Sequence, residues 1–336
     1  MRTVICGAGI SGLALAHRLA ALGGEVVVVE RAAGPRPQGY MIDFFGPGLE
    51  AVEAMGLLPA FERTAYHYDE GRLVDQKGLR RATIRTKGFS RGRLLNLLRP
   101  DIEAALAENL PPEVELRYGT ALTEVADRPD GVAVTLEDGT VLDADLLVGA
   151  DGIHSTVRRL AFGPEHHYLR YLGLHTTAFT FDAPDVHNAT RQAFCLTDSV
   201  DRQMGFYALR DGRVVLLGDA AHAVSLIAGQ GASLGIAGAY LLADRLAHTP
   251  TIERATAEFE RLWRPVVEDK QRNARSMARW FLPSSPAGLR IRRVMLGLTR
   301  VPFVIGYLSS ILAGKDTKLA DVMRQASGTA TKAAAV

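Results

Sequence analysis

Cysteine and tryptophan are scarce in this sequence, which has two of each among its 336 residues. Cys6 and Cys195 lie far apart and form neither a CxxC pair nor a metal-ligand spacing. A disulfide framework and a cysteine metal site are therefore excluded, and we predict a reduced, cytoplasmic protein that holds no metal. Cys6 lies within an apolar run, where a free cysteine behaves as a small core residue.

The sequence also has no large excess of positive or negative charge, since the formal net charge is +2 at pH 7. No basic run is interleaved with aromatic residues, so no nucleic-acid partner is expected. The content of 47% hydrophobic and 23% charged residues is typical of a soluble globular protein. A chain of this length can form two domains or one large α/β domain.

Long hydrophobic runs are absent as well. The stretch that raises a membrane question, Val294 to Ala313, is interrupted by Arg300 and Pro302. It therefore lacks the run of about twenty apolar residues that a membrane-spanning helix needs. We predict a buried helical cover and no integral membrane segment, with peripheral membrane contact as the minor alternative. The first strand begins within four residues of Met1, so no signal peptide is predicted.

The first thirty residues carry the strongest motif of the chain. Val4–Cys6 predicts a buried strand, followed by the turn Gly7-Ala8-Gly9-Ile10-Ser11-Gly12, a helix to Leu22 and a second buried strand, Val26–Val29, that ends at Glu30. Strand, glycine turn, helix and strand form the context that a dinucleotide fingerprint requires. An ordinary glycine-rich turn is the alternative, and this context makes it the weaker one.

The glycines of this motif have separate physical roles. Gly7 permits a tight turn, Gly9 lets the backbone approach a pyrophosphate, and Gly12 lets the helix pack closely on the strand. The helix N-terminus offers free N–H groups and a partial positive charge to that pyrophosphate. A carboxylate at Glu30 can bind ribose hydroxyls and would repel a 2′-phosphate, which favours FAD or NAD over NADP as the tightly bound nucleotide. The predicted contacts are Gly7, Ala8, Gly9, Ile10, Ser11, Gly12, Glu30 and Arg31.

Two later segments repeat the pattern of a buried strand that ends in a glycine-containing turn. Asp145–Ala150 leads into Asp151-Gly152, and Arg213–Leu217 leads into Gly218-Asp219. Open α/β sheets bind ligands at the carboxyl ends of their strands, so both turns point at a nucleotide. A glycine loop over 228–232 then precedes a helix predicted over 233–247.

Between these motifs, the sequence predicts an antiparallel meander and two further helices. The meander has four runs, Val114–Tyr118, Leu122–Arg128, Val132–Leu136 and Val141–Asp143, with turn signals at Asp130-Gly131 and Asp138-Gly139. The helices are predicted over Leu94–Leu106 and Thr251–Met277. An arginine at a helix start is unfavourable to the helix dipole, so Arg91 or Arg93 is a candidate phosphate ligand. A solvated charge is an equally good interpretation.

The three strand-end turns, at 4–12, 146–152 and 214–219, together resemble those of a known family. The combination resembles the flavin-dependent aromatic hydroxylases, the class A monooxygenases of the p-hydroxybenzoate hydroxylase type, over almost the whole chain. It implies an α/β fold with a Rossmann-like FAD-binding domain of the glutathione-reductase type, a smaller β-sheet substrate domain and C-terminal helices. The FAD-binding domain is expected over 1–72, 90–170 and 213–250, the substrate-domain strands over 73–89 and 171–212, and the C-terminal helical region over 251–336.

The resemblance also implies roles for particular residues. Arg91 matches an arginine that the family places near the flavin phosphates and ribityl chain, and Leu122 matches a position whose backbone meets the adenine. Asp219 matches a carboxylate that accepts a hydrogen bond from a ribityl hydroxyl. Asp151 and Gly152, with Arg158 behind them, match a motif implicated in FAD and NAD(P)H binding. Gly229, Gly231 and Ala232 match the loop under the isoalloxazine ring.

The function that the resemblance implies is hydroxylation of an aromatic or polyketide-like small molecule. FAD would be bound non-covalently, NADPH or NADH would be a transient co-substrate, and oxygen would be transferred from a flavin C4a-hydroperoxide. Two alternatives stay open: a flavin-dependent reductase or dehydrogenase of the same superfamily, and an FAD-binding protein with impaired, uncoupled catalysis. Tyr207, His175 and His222 are candidate polar groups for the substrate. The catalytic residues stay unassigned, and a homodimer is one option for the oligomeric state.

The chain departs from the family pattern at three places. Leu226 stands where a proline is usual, and Gly238 stands where an acidic residue is usual. At Asp211–Arg213, a Leu-Arg-Asp-Gly turn is fused directly to the strand that ends in Gly218-Asp219. Family members carry further substrate-domain strands and a helix at this point. We therefore expect intact FAD motifs and an incomplete sheet over the substrate.

Overall fold

The computed structural model describes residues 1–37, 39–85, 93–171, 178–197, 199–200, 202–210, 214–217, 231–281, 283–297 and 318–324. The strands in these ranges are β1 (Arg2–Cys6), β2 (Glu25–Val29), β3 (Met41–Phe44), β4 (Glu70–Val74), β5 (Arg80–Arg85), β6 (Leu95–Leu98), β7 (Glu115–Arg117), β8 (Leu122–Arg128), β9 (Gly131–Leu136), β10 (Val141–Ala144), β11 (Leu146–Gly149), β12 (Ala178–Phe181), β13 (Ala193–Thr197), β14 (Gly205–Ala208) and β15 (Val214–Leu217). The helices are α1 (Ile10–Ala21), α2 (Pro47–Ala54), α3 (Leu58–Thr64), α4 (Arg99–Glu108), α5 (Thr156–Phe162), α6 (Pro184–Thr190), α7 (Gly231–His248), α8 (Ile252–Phe281) and α9 (Pro286–Gly297).

The first sheet is parallel, with the strand order β11-β1-β2-β7. Thr3 of β1 pairs with Leu146 on one side and with Val26 on the other. The two central strands are apolar at consecutive positions because both faces of the sheet are covered. The strand, turn, helix and strand predicted for the N-terminus thus form the centre of this sheet.

Two layers cover the parallel sheet. Ile5, Val26 and Val28 face a helical layer that includes α1, α2, α4 and α7. Val4 and Val27 point to the opposite face, where they pack against the antiparallel sheet β10-β9-β8. This three-layer arrangement of helices, parallel sheet and meander confirms the predicted Rossmann-like α/β fold.

Two predicted elements differ from the structure. The meander has three strands where four were expected, because the first run is β7, which pairs in parallel with β2. The helix expected from Leu94 begins at Arg99, because the residues before it form β6 and pair antiparallel with β3. Pro100 suits the first turn of a helix, where its missing N–H costs no hydrogen bond, and so marks the start of α4.

The second sheet is mixed, with the order β12-β15-β14-β13-β4-β5. β14 and β15 form a hairpin in which Gly205 lies opposite Leu217 and Ala208 opposite Val214. The sequence prediction assigned 213–217 to the FAD-binding domain, whereas the structure places β15 between β12 and β14. The connection over 209–213 is short, which favours pairing of β15 with the strand that precedes it in the chain.

A small two-stranded sheet joins the two halves. β3 and β6 pair antiparallel, and their alternate side chains face opposite ways. Ile42, Phe44 and Leu97 belong to the core around the parallel sheet. Met41 and Leu98 instead pack against residues of the second sheet.

The first C-terminal helix, α8, extends the helical layer, whereas α9 contacts β5 of the second sheet. The predicted charged helix is α8, which runs to Phe281 and packs on α7. Gly238 of α7 allows this approach, since a Cβ there would lie 2.7 Å from Nε1 of Trp263. Much of the Val294–Ala313 stretch lies outside the described residues. In the described part of the chain, no helix combines the length and hydropathy that a membrane span requires.

Candidate FAD and substrate site

The glycine turn of residues 7–12 lies at the carboxyl end of β1, against the end of β11. Gly7 has a φ of +110°, and a Cβ on it would lie 2.5 Å from the carbonyl oxygen of Ala150. A Cβ on Gly12 would overlap the carbonyl oxygen of Gly7. Both positions therefore require glycine, one for its backbone conformation and both for close packing.

The first turn of α1 presents unused hydrogen-bond donors beside open space. The first helical bond runs from the N–H of Leu13 to the carbonyl of Gly9, at 3.0 Å, and no side chain caps this end. The N–H groups of Ile10, Ser11 and Gly12 precede that bond. In the part of the chain that the structure describes, a Cβ on Gly9 would have only the Glu103 carboxylate within 4 Å, at 3.6 Å. Free N–H groups, a positive helix end and space above Gly9 fit the pyrophosphate of a dinucleotide.

The Glu30 side chain stabilises the glycine turn by hydrogen bonding. Its carboxylate is buried and accepts the N–H of Ala8 at 3.0 Å and the N–H of Ala32 at 2.9 Å. A carboxylate has about four acceptor positions, so these two bonds leave capacity for ribose hydroxyls. The predicted ribose contact thus has a second role, which is to order the turn that would hold the pyrophosphate.

Arg31 and Leu122 lie on either side of this acid. Arg31 follows Glu30 and is exposed. The N–H of Thr120 donates to the carbonyl of Glu30 at 2.9 Å, which brings the start of β8 beside it. Leu122 is buried in the core between the parallel sheet and the meander. The structure therefore gathers these predicted adenosine contacts at one end of the parallel sheet.

Asp151 and Gly152 follow β11 and touch the same turn. The Asp151 carboxylate accepts the N–H of Thr156 at 2.5 Å, the N–H of Val157 at 3.2 Å and the hydroxyl of Ser155 at 2.5 Å. These bonds cap α5 from within its own segment, as acidic residues at helix starts do. Gly152 has a φ of +84°, which favours glycine.

Arg158 points away from the glycine turn. Its guanidinium donates to the carbonyl of Ile153 at 2.5 Å and lies over the ring of Tyr168, 5.7 Å from the centroid. The role of Arg158 toward a nucleotide stays a prediction.

An arginine that the sequence analysis missed lies beside Gly9. Arg99, the first residue of α4, donates to the Glu103 carboxylate at 2.6 Å, and both side chains are mostly buried. Burial raises the pKa of Glu103, while the Arg99 and Arg36 guanidinium groups act to lower it. The pair thus places the Glu103 carboxylate 3.6 Å from a Cβ on Gly9 and holds the Arg99 guanidinium on that carboxylate, where we expect it to offset the acid and meet a pyrophosphate.

The signal for Arg99 was present in the sequence. Arg91 and Arg93 were selected because they precede a predicted helix start. Since α4 in fact begins at Arg99, the same criterion selects Arg99. Arg93 instead forms an exposed ion pair with Glu53 at 2.6 Å. Arg91 lies outside the described residues.

The N-terminus of α7 meets the glycine turn from the other side. Gly231 and Ala232 open this helix, two residues before the predicted start at Ser233. A Cβ on Gly235 would overlap the Ser11 hydroxyl, which shows how closely α7 and α1 approach. The Ser233 hydroxyl accepts the N–H of Gly48 at 2.9 Å and donates to the carbonyl of Phe45 at 2.5 Å. The two helix starts that were predicted to meet a flavin nucleotide therefore lie side by side.

Several predicted site residues fall outside the described part of the chain. They are Arg91, Asp219, Gly229, His175 and His222. The remaining substrate candidate, Tyr207, is buried on β14 in an aromatic cluster with Tyr68 and Phe194. Among the described residues there is no group of three metal-ligating side chains.

Comparison with known proteins decides the family. A profile of the FAD binding domain matches residues 1–200 and 199–260. The chain belongs to the FAD binding domain family. An uncharacterised protein of Mycobacterium tuberculosis (strain CDC 1551 / Oshkosh) is 32% identical over 316 residues, which cover 73% of this chain and 85% of that protein. A flavin-dependent monooxygenase of Legionella longbeachae is 24% identical over 340 residues, which cover 81% of this chain and 87% of that enzyme.

A solved structure shows the same fold. Klebsiella pneumoniae HpxO, complexed with FAD and uric acid, superposes with a TM-score of 0.76 at 17% identity, over 94% of this chain and 97% of HpxO. With the family match, the predictions of an FAD-dependent oxidoreductase and of the flavin-dependent aromatic hydroxylase family are confirmed.

The mycobacterial relative also has residues without a counterpart in this FAD-binding chain. In the mycobacterial alignment, 73% of 336 residues is about 245, so about 70 of the 316 aligned residues have no counterpart here. The two matches to the family profile meet at 199–200. The hairpin of β14 and β15 follows directly. The junction of the two profile matches precedes the fused turn at 211–213, and the interruption expected at that turn stays a prediction.

Proposed function

We propose that this flavoprotein hydroxylates an aromatic or polyketide-like small molecule, with NADPH or NADH as the electron donor and oxygen as the oxidant. The observation that carries the proposal is the convergence of the glycine turn, Glu30 and the start of α7 at one edge of the parallel sheet. Beyond that edge lies a sheet rich in aromatic residues. Cytoplasmic location and a homodimer stay predictions.

FAD fits this edge through contacts of known chemistry. The N–H groups of α1 and the Arg99 guanidinium would hold the pyrophosphate, and Glu30 would hold the ribose. The start of α7, from Gly231, would direct N–H groups at the ring system, where they stabilise negative charge without a cation. Bound FAD supplies hydride acceptance and oxygen activation, while the protein supplies binding, orientation and exclusion of water.

The substrate class is supported by the side chains beyond the flavin edge. Tyr68, Phe194 and Tyr207 form mutual ring contacts with centroids 5.6–6.4 Å apart. Such rings favour a planar apolar ligand. The HpxO complex contains uric acid, a planar ring compound, in a protein of the same fold.

A second candidate function is an NAD(P)H oxidase that makes little hydroxylated product. The residues that relatives have and this chain lacks favour the oxidase, because the chain has fewer residues with which to cover its substrate. A flavin reductase that does not use oxygen productively is the third candidate, and its expected signature is rapid NAD(P)H oxidation with an added electron acceptor.

The experiment that separates these functions is product analysis. Purified, FAD-loaded protein is supplied with NADPH or NADH, oxygen and a panel of phenols and fused-ring arenes, and hydroxylated product and hydrogen peroxide are both quantified. Hydroxylated product supports the first function, peroxide alone the second, and turnover that needs an added acceptor the third. A folded preparation that takes up no FAD would refute all three.

Replacing Arg99 is expected to weaken FAD binding. Loss of a charge-assisted hydrogen bond to a phosphate costs roughly 1.5–3 kcal/mol, or about ten- to a hundredfold in Kd. Because Arg99→Met alone would leave Glu103 buried without its partner, the variant to test is the double substitution Arg99→Met with Glu103→Gln. Flavin fluorescence titration of the apoprotein measures the Kd.

The matched control is Arg93→Met, which removes an arginine whose partner is the exposed Glu53. Its FAD affinity is expected to equal that of the wild type. Equal affinity in the Arg99 double variant would mean that the phosphates lie elsewhere.

Asp219→Ala is expected to weaken FAD binding more than Asp151→Asn does. Asp219 is predicted to accept a hydrogen bond from a ribityl hydroxyl, worth roughly 1.5–3 kcal/mol. The Asp151 carboxylate is already engaged by Ser155, Thr156 and Val157, so its substitution should lower the stability of the α5 turn instead. Parallel flavin titrations and thermal melts measure both effects. An equal or reversed order of the two Kd values would contradict the assignment of Asp219.

A further inference from the structure

A polar pair lies among the aromatic side chains where the small sheet meets the second sheet. Asp43 of β3 is in register with Asn96 of β6, and the Asn96 amide donates to the Asp43 carboxylate at 2.5 Å. In β3, residues 42 and 44 face the core of the parallel sheet, so Asp43 shares the opposite face with Met41. That face packs against Tyr68 and Tyr207.

Asp43 differs from its neighbours in exposure. Met41, Ile42 and Phe44 are at most 7% exposed, and Asn96 is 4% exposed. Asp43 keeps an intermediate exposure on the same strand. Its surroundings are nevertheless desolvated, and burial raises its pKa although the Asn96 hydrogen bond lowers it. The Asp43 carboxylate is thus partly exposed although its neighbours are buried. This combination indicates that it lies in a recess and not on the outer surface.

The walls of this recess are aromatic and close to the carboxylate. Burial, followed by the charge of Asp43, raises the pKa of the Tyr207 hydroxyl. Tyr68 and Tyr207 meet edge to face, with centroids 5.8 Å apart, and the Tyr68 hydroxyl donates to the carbonyl of Ala208 at 3.0 Å. Asn96 supplies one donor to Asp43, and an ionised carboxylate can accept about four.

The strand that carries Asp43 is also tied to the flavin edge. Two residues beyond Asp43, the carbonyl of Phe45 accepts a hydrogen bond from Ser233 in the first turn of α7. Ser233 also accepts the N–H of Gly48. The recess therefore adjoins the helix start that is proposed to lie under the flavin ring.

We propose that Asp43, positioned by Asn96, selects the substrate by accepting a hydrogen bond from a ring hydroxyl or ring N–H of an electron-rich aromatic compound. An ionised carboxylate accepts hydrogen bonds and repels anions, so it favours phenols and ring N–H compounds over benzoates and aryl ethers. Such a hydrogen bond also pulls the hydroxyl proton toward the carboxylate, which raises the electron density of the ring. An electron-rich ring reacts more readily with an electrophilic oxygen. This inference rests on the proposed function and names its substrate class.

The test uses two ligands that differ in a single donor, 1-naphthol and 1-methoxynaphthalene. Their Kd values for FAD-loaded protein are measured by calorimetry without NADPH. The wild type is expected to prefer 1-naphthol by roughly ten- to a hundredfold, the range of a charge-assisted hydrogen bond. Asp43→Asn, which keeps the shape, should reduce the preference, and Asp43→Leu should abolish it while 1-methoxynaphthalene still binds. Asn96→Ala should reduce it in part, because the carboxylate loses its fixed orientation.

The matched control is Asp101→Asn. Asp101 is another partly buried aspartate, in the first turn of α4, whose pKa is also raised by burial. Its variant is expected to keep the wild-type preference. A wild-type protein with no preference, or unchanged preference in both Asp43 variants, would overturn the inference. FAD absorbance and NADPH-driven flavin reduction are recorded on the same samples, so that a failure of the proposed function appears separately.

Discussion

Gly9→Val is expected to abolish FAD loading in a chain that still folds. Among the described residues, only the Glu103 carboxylate lies within 4 Å of a Cβ on Gly9, so we expect the folded chain to accommodate the substitution. The isopropyl group would nevertheless occupy the space above the first turn of α1, where the pyrophosphate must contact N–H groups directly. The measurement is the flavin absorbance of the purified variant after incubation with FAD, beside its circular dichroism spectrum.

Two further glycine variants serve as comparisons for Gly9→Val. Gly288→Val places the same side chain in α9, where a Cβ would make ordinary contacts at 3.4 Å, and it should load FAD normally. Gly12→Val should fail to fold, because its side chain would overlap the Gly7 carbonyl. In wild-type protein the bound flavin should be released by acid, as expected for non-covalent binding. Normal loading of Gly9→Val would place the nucleotide elsewhere.

NAD(P)H oxidation by this chain is expected to be largely uncoupled, with most oxygen reduced to hydrogen peroxide and a minor share transferred to the aromatic substrate. Oxygen transfer from a flavin requires a site that excludes water. About 70 residues present in the mycobacterial relative have no counterpart here, and β14 and β15, which are close in the sequence, pair with each other. The sheet over the substrate should therefore shield the flavin poorly, while FAD binding survives because the glycine turn and Glu30 lie in the other half.

The measurement is the peroxide formed per NADPH consumed, with the best aromatic ligand present. A ratio approaching one is expected, and it should change little when the ligand is omitted. Free FAD with NADPH gives the background, and catalase confirms the identity of the peroxide. A ratio near zero with stoichiometric hydroxylated product would show that the shortened sheet closes the site.

The N-terminal part of the site could be predicted because its determinants are local. β1, the glycine turn, α1 and β2 follow one another within thirty residues, and each glycine has a steric reason that involves nearby backbone. The position of Glu30 is also fixed by this unit. Its hydrogen bonds to Ala8 and Ala32 could not be predicted, because they depend on side-chain orientation at the end of β2.

Arg99, the arginine near the expected pyrophosphate site, was not predicted. The run Leu94 to Leu98 contains four leucines around Asn96, and periodicity cannot distinguish a short buried strand from a helix in such a short run. Only the pairing with β3 makes it a strand. The helix start therefore moves to Arg99, and with it the residue that the dipole argument selects.

The placement of β15 and the role of Asp43 depend on contacts between distant segments. Val214–Leu217 is apolar at every position, which fits either sheet, and its neighbour is decided by the short turn before it. Asp43 lies on β3, a strand that the sequence analysis did not predict. Its significance arises from Asn96, Tyr68 and Tyr207, which lie at least 25 residues away along the chain.

The interleaving of the two sheets along the chain also sets the order in which they can form during synthesis. β1 and β2 can pair as soon as residue 29 has emerged, but β1 must wait for Leu146–Gly149 on its other side, and β4 must wait for Ala193–Thr197. Closing such long loops is slow, and unpaired strand edges are exposed in the interval. The nascent chain thus carries an unpaired edge of β1 until residue 149 has emerged and an unpaired edge of β4 until residue 197 has emerged.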